Sequence, residues 1–122
     1  MVIHESAEDY LEAILVLKER RGVVHSIDIV NELGYSKPSV SIAMKKLREN
    51  GYITMDPDGS ITLNESGLAI ASRIYNRHKV ISEFFTLLGV SPDVSAEDAC
   101  KVEHDISDET FSKIWDFVKK NG

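Results

Sequence analysis

A mainly α-helical chain interrupted by one short β-hairpin is the fold class this sequence predicts. Three observations carry it. Apolar residues recur at helical spacing over most of the chain, as in Ala7, Tyr10, Leu11, Ile14 and Leu15. Two helical faces, Ile27-Ile29-Val30-Leu33 and Val40-Ala43-Met44-Leu47, stand on either side of Gly34. Directly after them, Tyr52-Ile53-Thr54-Met55 and Ser60-Ile61-Thr62-Leu63 read as strands around Asp56-Pro57-Asp58-Gly59, whose proline and glycine suit a tight turn. Helix, turn, helix and hairpin together outline a winged helix-turn-helix, a DNA-binding unit. It is expected over residues 1–72, with a helical metal-binding and dimerisation unit over 73–122 and a linking helix over about 65–88.

Composition permits this and excludes other classes. The chain has 122 residues, 43% of them hydrophobic, which is enough for a real core. No apolar run approaches the length of a membrane span. Met1 to Glu5 lacks the basic-then-apolar pattern of a secretory leader. A single cysteine rules out an internal disulfide framework and fits a reducing cytoplasm, the expected location. The net charge of -6 argues against a broad basic footprint for nucleic acid, yet charge is local. From Ser36 to Met55 there are Lys37, Lys45, Lys46 and Arg48 against one acid, Glu49. A net-acidic chain needs a further reason to approach DNA, and a bound cation supplies one.

Taken in order, Glu5 to Arg21 forms the first helix, with Ser6 as its cap and Asp9 three residues on. Asp9 and Glu12 share a face. Gly22 ends this helix, and Ser26 is expected to cap the next. Ser36 caps the recognition helix, where Pro38 is tolerated in the first turn, and Gly51 closes it. A helix seated in the major groove reads bases from its N-terminal half, which nominates Ser36, Lys37, Pro38, Ser39, Ser41 and Ile42. Lys45, Lys46 and Arg48, further along, suit phosphate contact or an ordinary solvated face. Asp56 and Asp58 make the wing tip a poor probe of the minor groove. A long helix then starts at Asn64 or Ser66. It is followed by one from Ser91-Pro92 to about His104, and by a last from Asp108 to about Lys119 capped by Ser107. Phe84, Leu88, Val90, Val94, Phe111 and Trp115 are the expected dimer seam; a two-fold pair would match a palindromic operator.

Cys100, Glu103 and His104 have the spacing i, i+3, i+4, which brings a thiol, a carboxylate and an imidazole to one helix face. All three are metal-ligand types. Each alone also reads as a small buried hydrophobe, a solvated acid or a hydrogen-bonded surface group. His78 is a fourth candidate, and Asp9 with Glu12 would close a shell if the first helix packs nearby.

With these residues in view, the chain resembles the diphtheria toxin repressor and manganese transport regulator family of metal-dependent transcriptional repressors. The resemblance is closest to the short form without the SH3-like domain. It spans essentially the whole chain and rests on Glu8-Asp9-Tyr10-Leu11-Glu12, Ser39-Val40-Ser41, Leu63 to Gly67, Arg77-His78 and Cys100 with Glu103-His104. It implies a homodimer that binds double-stranded operator DNA when loaded with metal and represses uptake genes. It also implies ligands at Asp9, Glu12, His78, Cys100, Glu103 and His104. Asp9 matches the manganese-type branch and Cys100 the iron-type branch, so the expected cofactor is Mn2+ or Fe2+, with Zn2+ also admitted, at least one per subunit. No catalytic residues and no small organic substrate are expected, and no membrane partner. The competing reading is a metal-independent winged-helix dimeric regulator or interaction module.

Overall fold

The structure, a computed structural model, describes residues 5–122. The leader reading of the first residues therefore lies mostly outside it. Among the described residues the order is α1 Glu5–Arg21, α2 Ser26–Leu33, α3 Lys37–Glu49, β1 Ile53–Met55, β2 Ile61–Leu63, α4 Glu65–Leu87, α5 Pro92–Val102 and α6 Asp108–Asn121. Two compact units divide the chain between Ser72 and Arg73, inside α4.

In the first unit, α1 packs on α2, α3 and β2. The apolar spacing foreseen for α1 is what does this: Leu11, Ile14 and Leu17 are buried together with Ile29, Val40, Met44, Leu47, Ile53 and Ile61. A fully buried aliphatic side chain of this kind stabilises by about 1.5–3 kcal/mol through loss of water contact. The hairpin pairs antiparallel, Ile53 opposite Leu63 and Met55 opposite Ile61. Alternation along the strands sends Ile53 and Ile61 into the core and Thr54 and Thr62 outward.

Several local expectations need correction. Ser6 lies inside α1 instead of capping it. His25, not Ser26, is the N-cap of α2, because its amide donates to the Asp28 carboxylate (2.9 Å) and the helix already includes Ser26. Both strands are shorter than expected. Tyr52 turns its carbonyl to the amide of Asn64 (2.9 Å), and Ser60 commits its amide to Asp58 and its hydroxyl to Asp58 and Asp56. The Ser36 cap is as read: its oxygen accepts from the Ser39 amide (3.2 Å). Gly34 ends α2 in the left-handed region at φ 73°, a backbone conformation that a residue with a side chain adopts only under strain. Gly67 matters for space: a Cβ there would lie 2.2 Å from the Tyr52 carbonyl oxygen. The start of α4 is thereby pressed against the root of the wing, and Asn64 ties the two further by donating to Gly51 O (3.1 Å) and accepting from Thr54 (2.7 Å).

The second unit holds the rest of α4 with α5 and α6. Ile74, Val80, Ile81, Ala99 and Val118 are its buried apolar residues. Ser95 is buried too, its hydroxyl accepting from Thr86 Oγ1 (3.0 Å) and donating to Val90 O (3.4 Å). α5 stops at Val102, two residues before the expected His104, with Glu103 as its C-cap. The segment after it then turns to Ser107, which caps α6 by accepting from the Thr110 amide (3.1 Å).

Candidate metal centre

Helix α4 brings His78 to the second unit's interior edge, and the end of α5 brings Cys100 and Glu103 to meet it. His78 Nδ1 lies 2.9 Å from Glu103 Oε2 and 3.6 Å from Cys100 Sγ. One ring nitrogen thus faces a carboxylate oxygen and a sulfur at once. One donor atom from each of the three residues falls within 4.8 Å of the others. Glu103 is almost wholly buried, at 1% exposure, whereas Cys100 is open to solvent and His78 is intermediate. The neighbouring His104 approaches the second carboxylate oxygen, Nε2 to Oε1, at 3.5 Å. That approach is not a hydrogen bond, and Glu103 Oε1 is buried with no hydrogen-bond partner.

A buried carboxylate oxygen without a donor is costly, by about 1–3 kcal/mol or more. Such a group in a native protein calls for an explanation, a bound ion among them. The electrostatics agree. The Cys100 sulfur first, and the Glu103 carboxylate second, push His78 up from its ordinary 6.5 to about 10, against the opposing effect of burial. The surroundings of the central imidazole favour positive charge there. A cation is the alternative occupant of such a point. The donor set of imidazole nitrogen, thiolate sulfur and carboxylate oxygen suits a first-row divalent transition metal, so the residues present fit one.

Helix α5 explains part of this convergence and the C-cap explains the rest. Cys100 is inside α5, while Glu103 and His104 leave it, so the i, i+3, i+4 spacing foreseen from the sequence operates at a helix end. Asp9 and Glu12 sit on α1 in the first unit, three residues apart and both partly exposed. Sequence reasoning gave no role to Arg77, which is buried at 3% exposure. A signal was present: Arg77 falls three residues after Ile74 and four before Ile81, on the apolar stripe of α4, where an unpartnered charge would not be tolerated.

On α3, Lys37, Pro38, Ser39, Ser41, Ile42, Lys45, Lys46 and Arg48 are all exposed, and Ile42 is 57% exposed despite being apolar. Ser36 is exposed but spends its oxygen on the cap. In the second unit, Leu88 and Val94 of the expected dimer seam are exposed, whereas Phe84, Val90, Phe111 and Trp115 are half-buried. Leu87 and Phe117, which the sequence reading left out, are also exposed, and Phe117 stands edge-on to Phe84 with ring centres 5.5 Å apart. No helix among the described residues is long and apolar enough to cross a membrane.

Residues 3–61 match the family described as "Iron dependent repressor, N-terminal DNA binding domain", and residues 64–121 match "Iron dependent repressor, metal binding and dimerisation domain". The chain is 34% identical over 118 residues to the transcriptional regulator MntR of Escherichia coli O6:H1, covering 97% of this chain and 76% of that protein. It is 36% identical to an HTH-type transcriptional regulator of Methanocaldococcus jannaschii, covering 95% of this chain and 94% of the relative. Among solved structures it superposes on a manganese-dependent transcriptional repressor in complex with manganese, with a TM-score of 0.85 and 28% identity, covering 93% of this chain and 52% of that one. The manganese regulator SloR gives a TM-score of 0.80 at 29% identity, covering 98% of this chain and 55% of that one. The chain therefore spans about half the length of these two solved structures.

Proposed function

This chain belongs to the iron-dependent repressor family of metal-dependent, DNA-binding transcriptional regulators, and from that premise we propose how its own residues carry the function. It acts as a homodimeric repressor of metal-uptake genes whose grip on a palindromic operator depends on a divalent cation, Mn2+ or Fe2+, with Zn2+ as a competitor. The observation that carries this reading is Glu103. It is a buried carboxylate shared between His78 and His104, with one oxygen making no hydrogen bond.

His78, Cys100, Glu103 and His104 would hold the cation in the second unit, and the family resemblance adds Asp9 and Glu12 of α1 as candidate ligands. When bound, the cation supplies concentrated positive charge and a fixed coordination sphere among side chains that otherwise repel. His78 must release its proton and Cys100 must be a thiolate before either can serve, so binding competes with protons. For the cation to control DNA binding, it would have to bind the arrangement that presents α3 to DNA more tightly than any other. The coupling is the difference in metal affinity between that arrangement and the others. On α3, Lys37, Ser39, Ser41 and Ile42 face base edges, with Ile42 offered to a thymine methyl, and Lys45, Lys46 and Arg48 meet phosphate. Leu87, Leu88, Val94 and Phe117 extend the dimer seam. The chain works in the cytoplasm and has no catalytic role.

Fluorescence anisotropy on operator duplexes selected from a random-sequence pool tests this, run with Mn2+, Fe2+ and Zn2+ in turn and with bound metal counted in parallel. Metal-dependent affinity, lost on chelation, is expected. Equal affinity after complete chelation would point instead to the metal-independent regulator.

A further inference from the structure

Two successive residues of α4 take hold of Glu103 at opposite ends. His78 meets its side chain, as described. Arg77 takes its main chain: Nη1 donates to Glu103 O (3.2 Å) and to Ile106 O (2.8 Å). The other arm of the same guanidinium, Nη2, donates to the Asp108 carboxylate at the start of α6. Its central carbon lies over the Phe111 ring, 5.1 Å from the centre.

These contacts fall where the chain is least able to fix itself. The last carbonyls of any helix have no partner within the helix. Glu103 is the C-cap of α5, and His104 to Ser107 form a corner without regular structure beyond one turn bond, Asp105 N to Val102 O (3.0 Å). Cys100 lies inside the helix and Glu103 keeps its own amide bond to Ala99 O (2.9 Å), whereas the Glu103 carbonyl and the residues after it lie beyond the last turn. We propose that Arg77 is a positioning residue for the metal centre, a latch that fixes the Glu103–Ser107 corner so that Glu103 and His104 are presented together to a divalent cation. The inference rests on the metal reading above. Its physical content is preorganisation: a rigid planar fork satisfies two otherwise orphaned carbonyls, and a lysine, as a point charge on a flexible stem, reproduces only part of that. Residues that support metal ligands without touching the metal typically carry about 10–100-fold of metal affinity.

The test uses the full chain and Co2+ as the probe, read by absorption, with circular dichroism and sedimentation to establish fold and assembly. Arg77→Met keeps the aliphatic stem and removes the fork. We expect its Co2+ Kd to rise about 10–100-fold, while the thiolate-to-cobalt band persists at saturation because His78 and Cys100 remain. Hydrogen exchange of the 103–107 amides should accelerate in the metal-free variant, and Arg77→Lys should fall between Arg77→Met and wild type in affinity. A folded Arg77→Met that melts at lower temperature yet binds Co2+ with wild-type affinity overturns the latch and leaves Arg77 a structural residue only. Should Arg77→Met fail to fold, Asp108→Asn decides, because it loosens the fork without emptying the site: a severalfold weaker Co2+ affinity supports the latch, and wild-type affinity overturns it. Wild-type protein that binds no Co2+ overturns the metal reading itself, and the latch with it.

Discussion

The two units of this chain are stabilised by different means. The first closes on itself: apolar side chains from α1 to α4 and both strands meet in one cluster, and the wing is tied to α4 through Asn64 and Gly67. The second buries few apolar residues and, beside them, Arg77, Ser95 and Glu103. A small helical unit with so thin a core draws stability from whatever binds it. The contrast teaches a division of labour. The first unit is organised around one apolar cluster, whereas the second carries a buried Glu103 carboxylate oxygen with no hydrogen-bond donor.

The sharpest way to break that contrast is to attack the first core. Leu11→Ala removes a side chain that is fully buried, and should cost about 2–5 kcal/mol of stability, read by urea unfolding in chelator. Added metal should recover little of it, since the damage lies in packing and not in ligands. Next in size is the opposite case. Glu103→Gln keeps the shape and removes the charge, and should weaken metal binding about 100-fold, roughly 2.7 kcal/mol, in a competitive titration. Its metal-free melting temperature should change far less than that of Leu11→Ala. A Glu103→Gln protein that binds metal like wild type would remove the residue on which the site is built. Smaller again is Gly67→Ala, where the new methyl meets the Tyr52 carbonyl and backbone must move. We expect a loss of about 1–3 kcal/mol and a loosened wing, with metal affinity in the second unit unchanged.

How much of this was legible in the sequence follows the same divide. The first unit could be read almost element by element, because periodic burial, the Ser36 cap and the Asp56–Gly59 turn are local rules acting over a few residues. What slipped there were caps and strand ends, such as His25 for Ser26, where one side chain outcompetes another for the same amide. In the second unit, the spacing of Cys100, Glu103 and His104 announced a cluster, but spacing could not say that α5 ends inside it or that His78 bonds to two of its members. Arg77 stood out on the apolar stripe of α4, but what it holds could not be read for a related reason. Its partners lie 26 to 31 residues away in sequence, and no local pattern encodes a main-chain carbonyl as a partner.

The smallest predicted effect separates the two units by pH. In the second unit, His78 has a folded pKa raised from 6.5 to about 10, by Cys100 first and Glu103 next. The folded state therefore binds a proton more tightly than the unfolded chain. Its contribution to metal-free stability is fully present below about pH 6.5 and is lost as pH rises through about 10. In the first unit, Asp58 is depressed below 3.8, chiefly by the Ser60 amide and then by its hydroxyl, so its contribution is present above that value and fades as pH falls. Both groups touch solvent, which screens them, so shifts of only a few degrees in melting temperature are expected. Thermal melts in chelator between pH 6 and pH 10 should show a gentle alkaline decline that His78→Gln flattens. An equally steep decline in His78→Gln would mean that other groups set the alkaline limb, and that the proton on His78 contributes nothing to holding the metal-free centre together.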